Sequence, residues 1–277
     1  MRRRDFLAAS AGIAAVARNL GADPLGLPIG CQVFPIQKEL AADFEGTLRE
    51  IAAIGYRVIE FCSPPSFVNM GFASFIGKKA SEIRDKITGA GLRVVSCHYQ
   101  FTELKEHLDE RIEFASELGL KQMVVATLAI PPTAGMDAWR RAADEVNKFG
   151  ERTRKAGIEL GFHNHTFEFK KIDGVLVFDE LMTRFDPKLV KSQFQLNILS
   201  LGLDPVTYLT KYSGRFLSLH LQDWSLADKK EVPVGQGSID WKGVFKAAAK
   251  SDIKYYFVEM NMAALKAGYP YLHSLRV

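Results

Sequence analysis

From residue 28 onward the apolar positions switch between two periods. Short runs rich in β-branched and aromatic residues recur at Ile29 to Phe34, Tyr56 to Phe61, Arg93 to Tyr99, Gln122 to Thr127, Ile158 to His165, Val190 to Ile198, Phe216 to Trp224 and Lys254 to Met260. Such runs predict strands. Between them lie stretches with helical spacing, among them "ADFEGTLREIAAIG", "KASEIRDKITGAG", "HLDERIEFASELG" and "MDAWRRAADEVNKFGERTRKAG". Several end in glycine just before the next strand, as helix C-caps do. Eight strand-then-helix units without a linker predict an α/β fold, a (β/α)8 TIM barrel over residues 28–277. A dinucleotide-binding open sheet would need a glycine-rich turn after its first strand, and that strand runs instead into "PIQKEL". After Glu259 only "MNMAALKAGYPYLHSLRV" remains, which predicts a short final helix and an imperfectly closed ring.

The N-terminus departs from this pattern. "MRRRDFLAASAGIAAVARNLGA" sets an arginine cluster before a small-residue apolar run, which reads as a twin-arginine export signal over residues 1–22 and places the protein in the periplasm. The run is shorter than the roughly 20 apolar residues of a membrane-spanning helix, so no stable membrane insertion is expected. Cleavage after Ala17 or after Ala22 would fit. That route carries folded proteins, which suits one that acquires a cofactor before export. The net charge of +4 includes Arg2, Arg3 and Arg4. The remainder is nearly balanced, which argues against a nucleic-acid partner. With 47% hydrophobic and 25% charged residues the chain has a globular composition. Cys31, Cys62 and Cys97 are odd in number and lack metal-ligand spacing; buried thiols are the default reading, and export would also permit one bridge.

The polar residues choose one side. His98, His163, His165, Asn197, His220 and Glu259 fall at or near the C-terminal ends of different predicted strands, the face where barrels carry active sites. Alternation puts His163 and His165 of "GFHNHTFEF" on one face, where they could bind a divalent ion. A hydrogen-bonded structural pair is the alternative for that strand taken alone. Glu259 ends a run apolar enough to be buried on both faces, and a carboxylate there must be paired, protonated or metal-bound. Two or three imidazoles and a carboxylate suit Zn, Mn, Fe or Co, whereas Mg or Ca would want more oxygens. Glu60 and His98, at strand ends, and Gln195, inward-facing with Asn197, are candidate substrate contacts, as is Asp223 at the loop after His220. An ion pair with Arg57 is the alternative for Glu60, and a structural role that for His98. Trp224 and Trp241 could stack on a sugar ring or simply pack.

The segments "GFHNHTFEF", "FQLNILSLGLDPVTYLTKYSGR", "LHLQDW" and "VPVGQGSIDWKGVFKAAAKSDIKYYFVEM" resemble the sugar phosphate isomerase/epimerase family, xylose-isomerase-like barrels that include inosose dehydratases, tagatose epimerases and endonuclease IV. The HNH-x-x-EF element with G-Q-G-S-I-D-W resembles its exported, carbohydrate-related branch. The resemblance implies a divalent ion at the barrel mouth, held by ligands from strands 5 to 8. The strand 7 ligand falls on His220 and the strand 8 ligand on Glu259. The strand 5 ligand falls on or near His163, with His165 and Glu168 as competitors. Where relatives have aspartate in "FQLD" this chain has Asn197. The amide keeps an oxygen donor but removes a formal charge, so metal affinity should drop.

The resemblance implies a metal-dependent sugar isomerase, epimerase or keto-sugar lyase, with a small sugar or keto-sugar as partner and room for a homo-oligomer. The ion would polarise a carbonyl or carbinol oxygen and acidify the neighbouring carbon. Glu259 and Glu168 are the candidate proton carriers. Return of the proton gives isomerisation or epimerisation, and loss of a β-substituent gives dehydration or elimination. The alternative is a non-catalytic carbohydrate-binding barrel whose metal site has decayed at Asn197. A nuclease would need a fuller ligand set and a basic surface.

Overall fold

The computed structural model describes residues 23–277, so the export signal expected over 1–22 lies outside the described residues. Eight parallel strands close on themselves: β1 (Gly30–Gln32), β2 (Val58–Cys62), β3 (Arg93–Gln100), β4 (Gln122–Thr127), β5 (Glu159–His163), β6 (Val190–Gln195), β7 (Phe216–Leu221) and β8 (Tyr255–Val258). A helix follows each: α1 (Phe44–Ile54), α2 (Ala80–Gly89), α3 (Phe101–Leu118), α4 (Met136–Lys155), α5 (Val177–Arg184), α6 (Pro205–Lys211), α7 (Trp241–Ala248) and α8 (Met262–Ser274).

Outward residues such as Phe162, Phe194, Leu219 and Tyr256 are buried under the helices. Asp43 caps α1 by accepting from the Gly46 amide, and Gly119 ends α3 at a φ of 87°, a conformation glycine adopts without steric cost. Among the described residues no helix is long and apolar enough to cross a membrane. The three cysteines lie on β1, β2 and β3, buried and unbridged.

Two expectations about the end of the chain are corrected. The ring is closed, with β1 paired to β8 through Gly30 and Phe257 and through Cys31 and Val258. Gly30 permits the approach, since a Cβ there would lie 2.6 Å from the Tyr256 carbonyl oxygen. The final helix is not short: α8 runs 13 residues, against 8 in α5 and α7. Pro270 lies inside it, where it removes one backbone bond and crowds the preceding turn, and packing outweighs that cost. Asn261 caps the first turn, Leu265 and Leu272 are fully buried, and the Tyr56 hydroxyl donates to the Leu265 carbonyl at 3.1 Å.

Three barrel strands also stop earlier than their apolar runs suggest, each for a local reason. β5 ends at His163 because the next residue, Asn164, turns its side chain onto β6, accepting from the Gln195 amide at 3.1 Å. β6 ends at Gln195, whose own side chain accepts from the Leu196 amide and starts a 3-10 turn, Leu196–Leu201. β7 ends at Leu221, beyond which Asp223–Ser225 pairs antiparallel with Lys230–Val232 as a hairpin. These exits put His165, Asn197 and Gln222 on the rim.

Candidate active site

The inward faces of the strands are polar near their C-terminal ends. Gln32, Glu60, Ser96, His98, His163, Gln193, Ser218 and His220 are all buried. Buried polar groups of this number are tolerable only as a connected network. Gln193 is its hub. Its Oε1 faces His98 Nε2 at 2.7 Å and His163 Nδ1 at 3.1 Å, and its Nε2 donates to Glu60 Oε2 at 2.7 Å and Ser218 Oγ at 3.0 Å. An amide oxygen only accepts, so His163 carries its proton on Nδ1 and presents Nε2 as a lone pair. Burial, reinforced by the neighbouring histidines, holds the His163 pKa well below the ordinary value, which keeps the ring neutral.

His220 has the opposite character. Its Nε2 lies 2.5 Å from Glu60 Oε1 and its Nδ1 lies 3.1 Å from Glu259 Oε2. Burial opposes its charge, but the two carboxylates outweigh burial and push its pKa up to about 9. Both carboxylates resist ionisation through burial and are nonetheless held below the ordinary range, Glu60 by His98 and His220 and Glu259 chiefly by His220. Protonated His220 is therefore clamped between two carboxylates, and Glu60 is further held by the Ser96 hydroxyl at 2.5 Å.

Above this floor sits the rim. Gln195 donates to Glu259 Oε2 at 2.5 Å, and Gln222 donates to the Glu259 carbonyl at 3.0 Å. Asn197 donates to Gln222 Oε1 at 2.9 Å, which leaves its Oδ1 buried without a partner. The His165 ring stands edge-on to His163 at 4.7 Å and stacks on Phe167 at 4.9 Å, and its Nδ1 is also buried without a partner. Burial lowers its pKa to about 4 despite Glu259 nearby, so it too is neutral.

The structure brings together most of the residues expected at the mouth: His98, His163, His165, Gln195, Asn197, His220 and Glu259. Three candidates are placed otherwise. Glu60 is fully buried beneath the histidines, and its partners are His220 and His98, not a substrate at the rim and not Arg57, which donates to backbone carbonyls. Glu168 is fully buried in the turn after β5, where Oε2 accepts from the His165 amide at 2.8 Å. Burial pushes its pKa up to about 8. Its contact is with the His165 backbone, so the geometry makes it a support for that loop. Asp223, expected among the substrate contacts, is fully buried and accepts from the amides of Trp224, Gly235, Gly237 and Ile239 and from the Trp241 indole, the last at 2.8 Å. That bond also removes Trp241 from the list of stacking candidates.

Gln193 was not foreseen. The signal was available, because Gln193 and Gln195 sit two apart in a strand and flank Phe194, which puts both amides on the face opposite that ring.

The model of the xylose isomerase-like TIM barrel matches residues 48–276. The chain belongs to that family. Its relatives within it include an inosose dehydratase of Clostridium beijerinckii, 29% identical over 73% of this chain and 76% of that protein. An inosose dehydratase of Lacticaseibacillus casei is 28% identical over 50% of this chain, which spans about half (52%) of that relative's length. A sugar phosphate isomerase/epimerase structure from Parabacteroides distasonis superposes with a TM-score of 0.76 at 24% identity, covering 89% of this chain and 94% of the other, and shares the fold.

A xylose isomerase-like barrel invites the question of a metal, and the histidine cluster could hold one: ligand nitrogens of His98, His163 and His220 lie within 4.8 Å of one another. His98 and His220 each turn a nitrogen to Glu60, however, so the deeper arrangement is already satisfied by hydrogen bonds. The rim offers a second set of donors. His165 Nδ1 and Asn197 Oδ1 are buried and unpartnered, and an unpaired buried polar atom is costly unless something fills its place. Glu259 and His220 lie beside them and complete a mixed nitrogen and oxygen set suited to a borderline divalent ion, but both His220 nitrogens bond carboxylates, so His220 would become a ligand only by giving up a proton and its bond to Glu259.

Proposed function

We propose that this chain is an exported, metal-dependent enzyme that removes water from, or epimerises, a small cyclic keto-polyol, with dehydration of an inosose-like substrate as the leading reaction. The observation that carries this reading is the convergence of His165, Asn197, His220 and Glu259 above a neutralised floor. Those four residues would hold the ion once His220 had released a proton, and the ion when bound would polarise the substrate carbonyl as a Lewis acid.

The chain's own residues account for the rest. Glu259 is the carboxylate within reach of the mouth, 13% exposed against 0% for Glu60, and it is ionised. It takes the proton from the carbon next to the carbonyl, breaking the C–H bond. The electron pair left behind expels the β-hydroxyl, which receives that proton from the Glu259 carboxyl and departs as water. Delivery of a proton to the opposite face of that carbon would instead give epimerisation, and would need a second acid across the ring from Glu259. Gln195 and Gln222 fix the Glu259 carboxylate through this cycle, and neutral His163 and His165 keep the mouth from acquiring further positive charge. Glu168 positions His165, and Glu60 holds His220.

A second reading, a barrel that binds sugars without turning them over, is favoured by Asn197, which lacks the charge of an aspartate ligand. One experiment separates the two. Metal content is measured by mass spectrometry on protein purified without chelator or affinity metal, beside Asn197→Asp and His220→Ala, and inosose and keto-sugars are followed for solvent-deuterium incorporation. Near-stoichiometric metal lost in His220→Ala, with deuterium in the substrate, supports the enzyme. A metal-free wild type that exchanges no proton favours the binding barrel. Export is tested by fractionating cells that express the full chain.

A further inference from the structure

The hairpin beyond β7 carries a feature that the site above does not use. The hairpin starts at the barrel mouth: His220 faces the floor, Gln222 bonds Glu259, and Trp224 follows two residues later, in the first strand of the hairpin. Trp224 pairs directly with Glu231 across the hairpin, so both side chains stand on one face, with Trp224 partly buried. Glu231 is exposed and lies near enough to Glu259 for the two charges to repel. The opposite face of the hairpin is anchored by Asp223, whose carboxylate gathers the amides of Trp224, Gly235, Gly237 and Ile239 and the Trp241 indole. Gly237 is required there, since a Cβ would lie 2.1 Å from Asp223 Oδ1.

We infer that Trp224 and Glu231 form the ring-recognition ledge of the active site, Trp224 stacking on the apolar C–H face of a cyclic polyol and Glu231 accepting hydrogen bonds from its hydroxyls, with Asp223 as positioning residue. An indole offers a flat apolar plate, and a carboxylate accepts from two adjacent hydroxyls. The pairing selects a closed ring, because an open-chain polyol presents no continuous C–H face. The inference rests on the proposed function and adds to it two residues that bind the substrate and select its ring form.

The test is calorimetric titration of the full mature protein with inosose, myo-inositol and the open-chain polyol sorbitol, repeated on Trp224→Ala, Trp224→Phe and Glu231→Gln. The wild type should bind a cyclic polyol at least about tenfold more tightly than sorbitol. Trp224→Ala should erase that preference, Trp224→Phe should keep most of it, and Glu231→Gln should weaken cyclic polyols about tenfold, the scale of one hydrogen bond to a charged group. Near-ultraviolet circular dichroism checks that each variant is folded. If cyclic polyols bind and Trp224→Ala and Glu231→Gln stay within twofold of wild type, the ledge is wrong while the proposed function stands. Equal binding of sorbitol overturns the selection of rings. If the wild type binds none of the three, the substrate reading fails and the ledge falls with it.

Discussion

Glu60 and His220 lie 160 positions apart in the chain and meet with Oε1 2.5 Å from Nε2, both side chains fully buried. An ion pair at that depth is a weak source of net stability, but removing one partner leaves an uncompensated buried charge. Glu60→Leu should therefore destabilise the protein by about 3–5 kcal/mol. Urea unfolding monitored by circular dichroism measures this, and a loss under about 1 kcal/mol would show that His220 is not charged in the fold.

The same pair sets a pH window. The folded-state pKa of His220, about 9, lies above its ordinary 6.5, so its contribution is complete below pH 6.5 and is lost as pH rises through 9. Glu60 is depressed below its ordinary 4.5, so its contribution is present above pH 4.5 and is lost as pH falls through its folded value. Between pH 7 and 9.5 the wild type should lose about 2 kcal/mol that His220→Gln does not lose, since each pKa unit is worth about 1.4 kcal/mol. Denaturation midpoints across pH test the difference in slope.

Glu168 should behave in the reverse sense. Its carboxyl is raised from 4.5 to about 8, so the fold keeps a proton that the unfolded chain releases, and stability declines as pH rises from 4.5 to 8. Glu168→Gln keeps an oxygen for the His165 amide and has no charge to bury. It should unfold at a higher denaturant concentration than wild type at pH 8.5 and match it near pH 4.5. A variant weaker than wild type at both values would mean that Glu168 is ionised in the fold.

Asn197→Asp restores a formal charge beside an unpartnered position at the rim. Divalent-ion affinity, measured by competition with a chromophoric chelator, should rise at least about tenfold, the ratio given by about 1.4 kcal/mol. Without metal the same variant should be less stable, because the new carboxylate adds a negative charge to a rim that already carries Glu259. Unchanged affinity would place the ion elsewhere, with the His98, His163 and His220 nitrogens as the remaining set.

Asp223→Asn turns an acceptor of five donors into a group with two donors of its own. Some of the Gly235, Gly237, Ile239 and Trp241 N–H groups would then face N–H, at a cost of about 1–3 kcal/mol for each buried group left unsatisfied. Amide exchange read by mass spectrometry should accelerate over residues 223–241 and leave the β1 to β6 strands protected. Global deprotection would mean that this loop is not a separate unit.

The barrel and the side of it that carries polar residues were legible in the linear chain, because both follow from periodicity. Alternation within a strand assigns His163 and His220 to the interior without reference to any other strand, and the repeated apolar runs each need a helix to cover them. Metal-ligand types at strand ends marked the mouth for the same reason. Only the tertiary structure decided which groups face one another. The Glu60 pairing with His220, the Gln193 bridge to two histidines, the withdrawal of Asp223 under its loop and the exits that carry His165 and Asn197 onto the rim all depend on side chains from different strands competing for the same few ångströms. Closure of the ring through Gly30 and the continuation of α8 past Pro270 belong with them. A local pattern states what a residue prefers, and contacts across the barrel determine which of those preferences are met.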